Sequence, residues 1–221
     1  MLELKNYNSQ ILNEISLKID NQNLTILGAN GAGKTTLAKV LSGVISSSNI
    51  TYEEPKTEFI NYIPSKLEIF DDYLNVEEFL ELSSLHSNKK IAEVLELLDI
   101  VHLKNKACKY LSSGESQLLL LASSILHGSK YTILDEPTSN LDPQKVKLVF
   151  KILNSDEYLK HKIIITHNLN FAYKLGVDVA YMENGQIKFL GSNEEFFSKN
   201  NLYNIFSDSV KKIDDNIVID L

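Results

Sequence analysis

A glycine-rich run, Gly28-Ala29-Asn30-Gly31-Ala32-Gly33-Lys34-Thr35, constrains this chain more than any other feature. It fits the pattern G-x4-G-K-[ST], whose fixed positions arise by chance in a chain of this length on the order of once in a hundred. The apolar run Leu24-Thr25-Ile26-Leu27 leads into it, and helical spacing through Leu37, Val40, Leu41 and Val44 follows. Strand, loop, helix is the predicted order. Glycines let successive backbone N–H groups converge on phosphate oxygens, and the helix adds its positive N-terminal end. Lys34 supplies a point charge for β- and γ-phosphates, and Thr35 a hydroxyl for Mg2+, which takes oxygen ligands. With Thr36, the run is a candidate cradle for ATP. A tight glycine turn before a helix is the competing reading; the strand before and the helix after favour the cradle.

A second signal lies in Tyr131-Thr132-Ile133-Leu134-Asp135-Glu136, an apolar strand that carries two acids to its C-terminal edge. Open α/β sheets bind ligands at that edge. Asp135 is suited to hold Mg2+, directly or through water, and Glu136 to accept a proton from a water attacking the γ-phosphate. Acid pairs after strands also begin turns and cap helices. The phosphate loop gives this pair its weight.

The remainder reads as an α/β protein. From Leu2 to Ile26, the residues Leu2, Leu4, Ile15, Leu17, Ile19, Leu24 and Ile26 alternate with polar ones, predicting a small antiparallel lobe. Loops and short edge strands are expected over 46–58, then a strand stopped by Pro64. Between Asp71 and Lys109, apolar residues recur at helical intervals, and Leu118–Leu126 continues helical. A helix through Val146, Val149, Phe150 and Leu153 precedes a buried strand in Lys162–His167, and Asn184-Gly185 marks a hairpin turn. The predicted fold class is α/β, a P-loop NTPase core with a small antiparallel β lobe and a helical sub-lobe. One domain over 1–221 is expected, its helical sub-lobe at about 66–120 and a C-terminal extension at about 191–221.

With 221 residues, 43% of them hydrophobic, the chain is long enough to bury a core. Its apolar runs fall far short of the roughly 20 residues of a membrane-spanning helix, and the N-terminus lacks the basic and apolar regions of a secretory signal. A cytoplasmic protein is expected. Cys108, the one cysteine, has no disulfide or CxxC partner and reads as structural. The net charge of −7 argues against general nucleic-acid binding. Lys104, Lys106 and Lys109, and Lys145, Lys147 and Lys151, read as solvated helix faces.

Between the phosphate loop and the acid pair lies Leu111-Ser112-Ser113-Gly114-Glu115-Ser116-Gln117, and Ser139-Asn140-Leu141-Asp142 follows the pair. In these segments, and over nearly its whole length, the chain resembles the ATP-binding cassette family, whose signature is LSGGQ. Ser113 stands for the first glycine, Glu115 for the glutamine, and Leu118 for the basic residue that often follows Gln117. The resemblance implies that Ser112, Ser113 and Gly114 of one subunit close over ATP held by another, in a head-to-tail homodimer or a heterodimer with a related ATPase subunit. Without the family, the same residues are a helix start with serine capping. Asp142 is implied to communicate between the two sites and also reads as an N-cap ahead of Pro143. His167 resembles the histidine that contacts the γ-phosphate and orients Glu136 or the water. Tyr7 resembles the aromatic that stacks on adenine, with a surface tyrosine near a turn as the alternative. In Tyr62-Ile63-Pro64-Ser65 the family carries glutamine after proline, and Ser65 is too short to reach Mg2+ as that side chain does.

By this resemblance the chain is a Mg2+-dependent ATPase in which Lys34, Glu136 and His167 are catalytic and Thr35 and Asp135 hold the metal. It would power transport through separate transmembrane permease subunits at the inner face of the cell membrane. The tail resembles importer motors serving iron chelates, haem or cobalamin; an amphipathic helix and strand packing on the core is the structural alternative. A soluble cassette ATPase acting on ribosomes or DNA is the other functional reading. A single cassette without coiled-coil or zinc insertions weighs against it. A subunit that binds ATP but hydrolyses it poorly is a third, opposed by the retention of Lys34, Asp135, Glu136 and His167.

Overall fold

The computed structural model describes residues 1–52, 59–67, 73–84 and 87–219. The loops expected at 53–58, and the helical readings at 71–72 and 85–86, lie outside the described residues. In chain order the strands are β1 (Leu2–Tyr7), β2 (Ile15–Ile19), β3 (Leu24–Leu27), β4 (Ile50–Tyr52), β5 (Ile60–Ile63), β6 (Tyr131–Asp135), β7 (His161–Thr166), β8 (Asp178–Glu183), β9 (Gln186–Gly191), β10 (Val210–Ile213) and β11 (Asn216–Ile219). Helices occupy Lys34–Leu41, Val76–Ser83, Ile91–Leu97, Ser113–His127, Pro143–Leu153, Leu169–Leu175, Asn193–Phe196 and Lys199–Phe206. The chain divides into two compact units, Met1–Thr51 with Ile163–Leu221, and Tyr52–Lys162.

In the first unit, β1 and β2 pair antiparallel with Leu2 opposite Ile19 and Leu4 opposite Leu17. Ile15, Leu17 and Ile19 are buried while Ser16 and Lys18 are exposed, the period of two that a one-sided sheet requires. Leu24 and Ile26 do not belong to this lobe. They lie in β3, which runs parallel to β7 on one side and to β8 on the other. The alternation misled because Thr25, between them, is itself fully buried. Its β-branched side chain suits a strand covered on both faces. At the edge, β9 joins β8 antiparallel through the turn at Asn184-Gly185, as expected from sequence.

This hairpin turn does more than reverse the chain. The Gly185 N–H donates to the Ala32 carbonyl of the glycine-rich loop, and its own carbonyl accepts from Asn13 N–H at 2.8 Å. Gly185 has φ 74°, and a Cβ there would drive into the Ile11 carbonyl oxygen. The C-terminal segment is integrated into the same unit. Val210 of β10 and Ile217 of β11 are buried with Tyr181, Phe196 and Phe197, and Asn170 Oδ1 accepts the Ile217 N–H at 2.9 Å. The tail is thus a helix followed by a strand pair packed on the core, an arrangement that both readings of it share.

In the second unit, β5 and β6 are parallel, and all five residues of β6 are buried. The Ser113–His127 helix buries every residue from Gln117 to Leu126, so it is core on all sides rather than amphipathic. That explains Leu118, a buried position with no room for a solvated cation. Its start is fixed locally: Ser112 Oγ accepts from Glu115 N–H, and the Glu115 carboxylate accepts from Ser112 N–H at 2.7 Å, a capping box. Gly128, in the left-handed region, ends it. Asn75 and Glu78 form a second capping box ahead of Val76–Ser83. Cys108 is buried, and burial pushes its thiol up to about 11, which suits a structural role. Lys104, Lys106 and Lys145, expected as solvated, pair with Glu77, Glu115 and Asp99.

Gly185→Ala combines a left-handed backbone with a collision against main chain, and should destabilise the protein by about 3 kcal/mol. Urea unfolding measures this directly; a loss below about 1 kcal/mol would show that the hairpin turn is not wedged as described.

Candidate nucleotide site

In the first unit, the register of β3 with β7 pairs Leu27 with Thr166, so the next residues, Gly28 and His167, leave adjacent parallel strands at their carboxyl ends. This is the edge at which such sheets bind ligands. From Gly28 the chain turns through the glycine-rich loop into the Lys34–Leu41 helix. Gly28, Ala32 and Lys34 are buried; Ala29, Asn30, Gly31 and Thr35 are exposed, and Thr36 is half-buried.

The Lys34 ammonium donates to the Gly28 carbonyl at 2.7 Å and the Ala29 carbonyl at 2.9 Å. A lysine only 7% exposed therefore has its charge wrapped by the loop that precedes it. The helix it opens has Gly33 as N-cap, no capping side chain and no acid in its first turn. The helices starting after Ser112, Asp142, Asn168, Ser192 and Ser198 all have a side-chain cap. Amide donors at an uncapped N-terminus are suited to an anion. His167 is exposed, between Thr166, whose hydroxyl accepts from Asn168 N–H at 3.1 Å, and Asn168, which caps the following helix through Phe171 N–H. Both neighbours are tied down, so the histidine is carried on an ordered turn. Tyr7 is half-buried at the end of β1, opposite Ile15 and beyond an irregularity in register.

In the second unit, the register pairs Ile63 of β5 with Leu134 of β6, so Pro64 and Ser65 run level with Asp135 and Glu136 at the carboxyl ends. Asp135 is 2% exposed, and its Oδ2 accepts from the Tyr62 hydroxyl at 3.2 Å. Burial, followed by the Asp135 charge, raises the Tyr62 phenol far above its ordinary value and keeps it a donor. Glu136, half-buried, has φ 52°, a left-handed conformation uncommon outside glycine and frequent at functional sites. Its carbonyl accepts from Gln117 Nε2 at 3.2 Å, from Ser139 Oγ at 2.9 Å and from Ser139 N–H at 3.1 Å.

Ser112 and Ser113 are exposed at the start of the buried helix, with Gly114 half-buried behind them. Glu115, where the family carries glutamine, also takes the Lys106 ammonium at 2.9 Å, which holds its carboxyl below the usual carboxylate range. Asp142 accepts from Gln144 N–H at 2.9 Å and Lys145 N–H at 3.0 Å ahead of Pro143, the N-cap anticipated from sequence.

Tyr7, the loop Gly28 to Thr36 and His167 thus belong to the first unit. Ser112, Ser113, Gly114, Asp135, Glu136 and Asp142 belong to the second. Sequence reasoning missed Tyr62, Gln117 and the hairpin turn as supports of these residues. The spacing of Gln117 from Gly114 on one helix, and of Gly185 from the loop it braces, carries that information only once the register is known.

The ABC transporter family profile matches residues 12–139, more than half of the chain. The zinc import ATP-binding protein ZnuC of Buchnera aphidicola (subsp. Acyrthosiphon pisum) is 33% identical over 85% of this chain and 83% of its own length. The molybdate/tungstate import ATP-binding protein WtpC of Methanocaldococcus jannaschii is 32% identical over 80% of this chain and 64% of its own. Among solved structures, an inward-facing putative metal-chelate type ABC transporter superposes with a TM-score of 0.78 at 20% identity, covering 100% of this chain and 97% of that one. The cbiO1 protein of Clostridium perfringens, part of the ABC transporter complex cbiONQ, superposes with a TM-score of 0.73 at 24% identity over 92% and 93% of the two chains. The chain belongs to the ABC transporter family, as one of its ATP-binding ATPase subunits.

Proposed function

We propose that this protein is the motor of an importer that moves a metal ion or metal-containing solute through separate permease subunits. The observation that carries this reading is the 33% identity, over 85% of the chain, to a protein named for zinc import. A second relative is named for molybdate/tungstate import, and its ligand too contains a metal. No helix among the described residues is long and apolar enough to cross a membrane, which fits a subunit held at the inner membrane face by its permease. The ribosome- or DNA-directed alternative has no comparable support, and the net charge of −7 argues against general nucleic-acid binding.

Within this reading, Tyr7 stacks on adenine, and the amides of Gly31, Gly33, Lys34, Thr35 and Thr36 with the Lys34 ammonium bind the phosphates. Lys34 exchanges the carbonyls of Gly28 and Ala29 for phosphate oxygens. Glu136 accepts a proton as water attacks the γ-phosphorus; the bond to the bridging oxygen breaks, leaving ADP and phosphate. His167 contacts the γ-phosphate. Ser112, Ser113 and Gly114 cover the same phosphate from a second subunit in a head-to-tail dimer, and Asp142 faces that seam.

The donor set suits Mg2+. The Thr35 hydroxyl and Asp135 carboxylate are hard oxygen ligands, and no cluster of three or more metal-ligating side chains exists among the described residues. Such a pair matches an ion that takes most of its shell from phosphates and water. Held by Thr35 and Asp135, Mg2+ would supply positive charge against the phosphates. Tyr62 orients the carboxylate through Oδ2.

Glu136→Gln should reduce turnover about a hundredfold or more and leave an ATP-bound dimer, visible as doubled mass in light scattering. A variant that is still monomeric with ATP, or that hydrolyses normally, removes the assignment. Ser65→Gln, which restores reach toward the metal, should alter the ATPase rate at limiting Mg2+; identical Mg2+ titrations would make the position neutral. Copurified with its permease, the ATPase should be stimulated by a transition-metal ion or metal complex. Stimulation by a metal-free solute alone would overturn the substrate class.

A further inference from the structure

The turn from Glu136 to Asn140 is unusual in holding two non-glycine residues in the left-handed region, Glu136 at φ 52° and Asn140 at φ 61°. Each costs on the order of 1 kcal/mol and persists only where surrounding groups over-determine it. The Ser113–His127 helix supplies such groups at both ends of the turn. At one end, the buried Gln117 amide donates to the Glu136 carbonyl. At the other, Gly114 lies against main chain: a Cβ on Gly114 would sit 2.9 Å from the Asn140 carbonyl oxygen. Three positions apart, Gly114 and Gln117 share one face of the helix. That face is one side of a clamp, and the turn carrying Glu136 is the other.

The chemistry of the clamp is specific. Gln117 is 4% exposed inside a helix otherwise buried as Leu, Ala, Ser and Ile, where an apolar residue would pack at lower desolvation cost. Its amide directs two donors in a plane and reaches a carbonyl that also accepts from Ser139 Oγ and Ser139 N–H. Fixing that carbonyl fixes the peptide plane after Glu136, hence ψ of the residue and the direction in which its side chain leaves the backbone.

We propose that Gln117 is a positioning residue for hydrolysis: it holds the backbone of Glu136 in the left-handed conformation from which the carboxylate meets the attacking water. This rests on the assignment of Glu136 as the proton acceptor. The segment that opens the same helix, Ser112 to Gly114, is thereby rigidly joined to the acid, so that displacement of the helix start shifts Glu136.

The test uses the full-length protein with Gln117→Met, which keeps side-chain length and loses the donor, and Ser139→Ala, which removes a second donor to the same carbonyl. Expected is a fall in kcat of about tenfold or more for Gln117→Met, with KM and the Kd for a fluorescent ATP analogue within twofold of wild type. The double variant should depart from additivity, because both donors serve one acceptor. Should Gln117→Met fail to fold, Ser139→Ala alone is expected to lower kcat with unchanged nucleotide affinity. The proposal is overturned by kcat within twofold of wild type in Gln117→Met, or in Ser139→Ala where Gln117→Met does not fold, and by losses of kcat and nucleotide affinity that move together. Glu136→Gln is run alongside. Normal turnover there overturns the assignment of the acid itself, whereas an inactive Glu136→Gln beside a fully active Gln117→Met overturns only the role of Gln117.

Discussion

A buried lysine is costly, and the way this chain meets that cost shapes the glycine-rich loop. Lys34 is 7% exposed, and its ammonium is solvated by the carbonyls of Gly28 and Ala29, which must turn inward to reach it. A backbone whose carbonyls point at the lysine turns amide N–H groups elsewhere, and the helix that follows has no side-chain cap. The placement of the cation and the path of the loop into the helix therefore come from one constraint. The Gly185 amide, donating to Ala32, braces the same loop from the hairpin turn. Such a bond is worth about 1 kcal/mol net, but its larger effect is to limit the conformations open to a glycine-rich segment.

The second unit meets a parallel problem with different means. Asp135 ends a fully buried strand, where a carboxylate needs a partner, and half-buried Glu136 follows it. Asp135 receives the Tyr62 hydroxyl. At Glu136 the donors gather on the backbone carbonyl, from Gln117 and Ser139, which keeps the Cα of a proton-transferring residue in place.

Much of this was legible in the sequence because the decisive signals are local. The order strand, loop, helix around Gly28, the acid pair at the end of Tyr131–Asp135, the cap at Asp142 and the turn at Asn184-Gly185 each depend on a few adjacent residues. What escaped depends on which strands are neighbours. Tyr62 and Asp135 are 73 residues apart, and Gln117 and Glu136 are 19 apart, so no spacing rule joins them. Leu24 and Ile26 were misassigned for a related reason: alternation signals a half-exposed strand only when the polar partner is solvated, and Thr25 is fully buried.

The departures from the family signature divide along the same line. Glu115 is explained within one turn of helix: at the third position it closes a capping box with Ser112, favours the positive helix end, and takes the Lys106 ammonium. Glutamine there could close the box but would leave Lys106 without its charge partner. Leu118 is explained by burial. Ser65 is different in kind, because nothing local demands a serine at the exposed position after Pro64. Its consequence falls on the neighbouring strand. There Ser65 runs level with Glu136 and presents only a short hydroxyl, while the hydrogen bonds to the acids come from Tyr62 for Asp135 and from Gln117 for the Glu136 carbonyl.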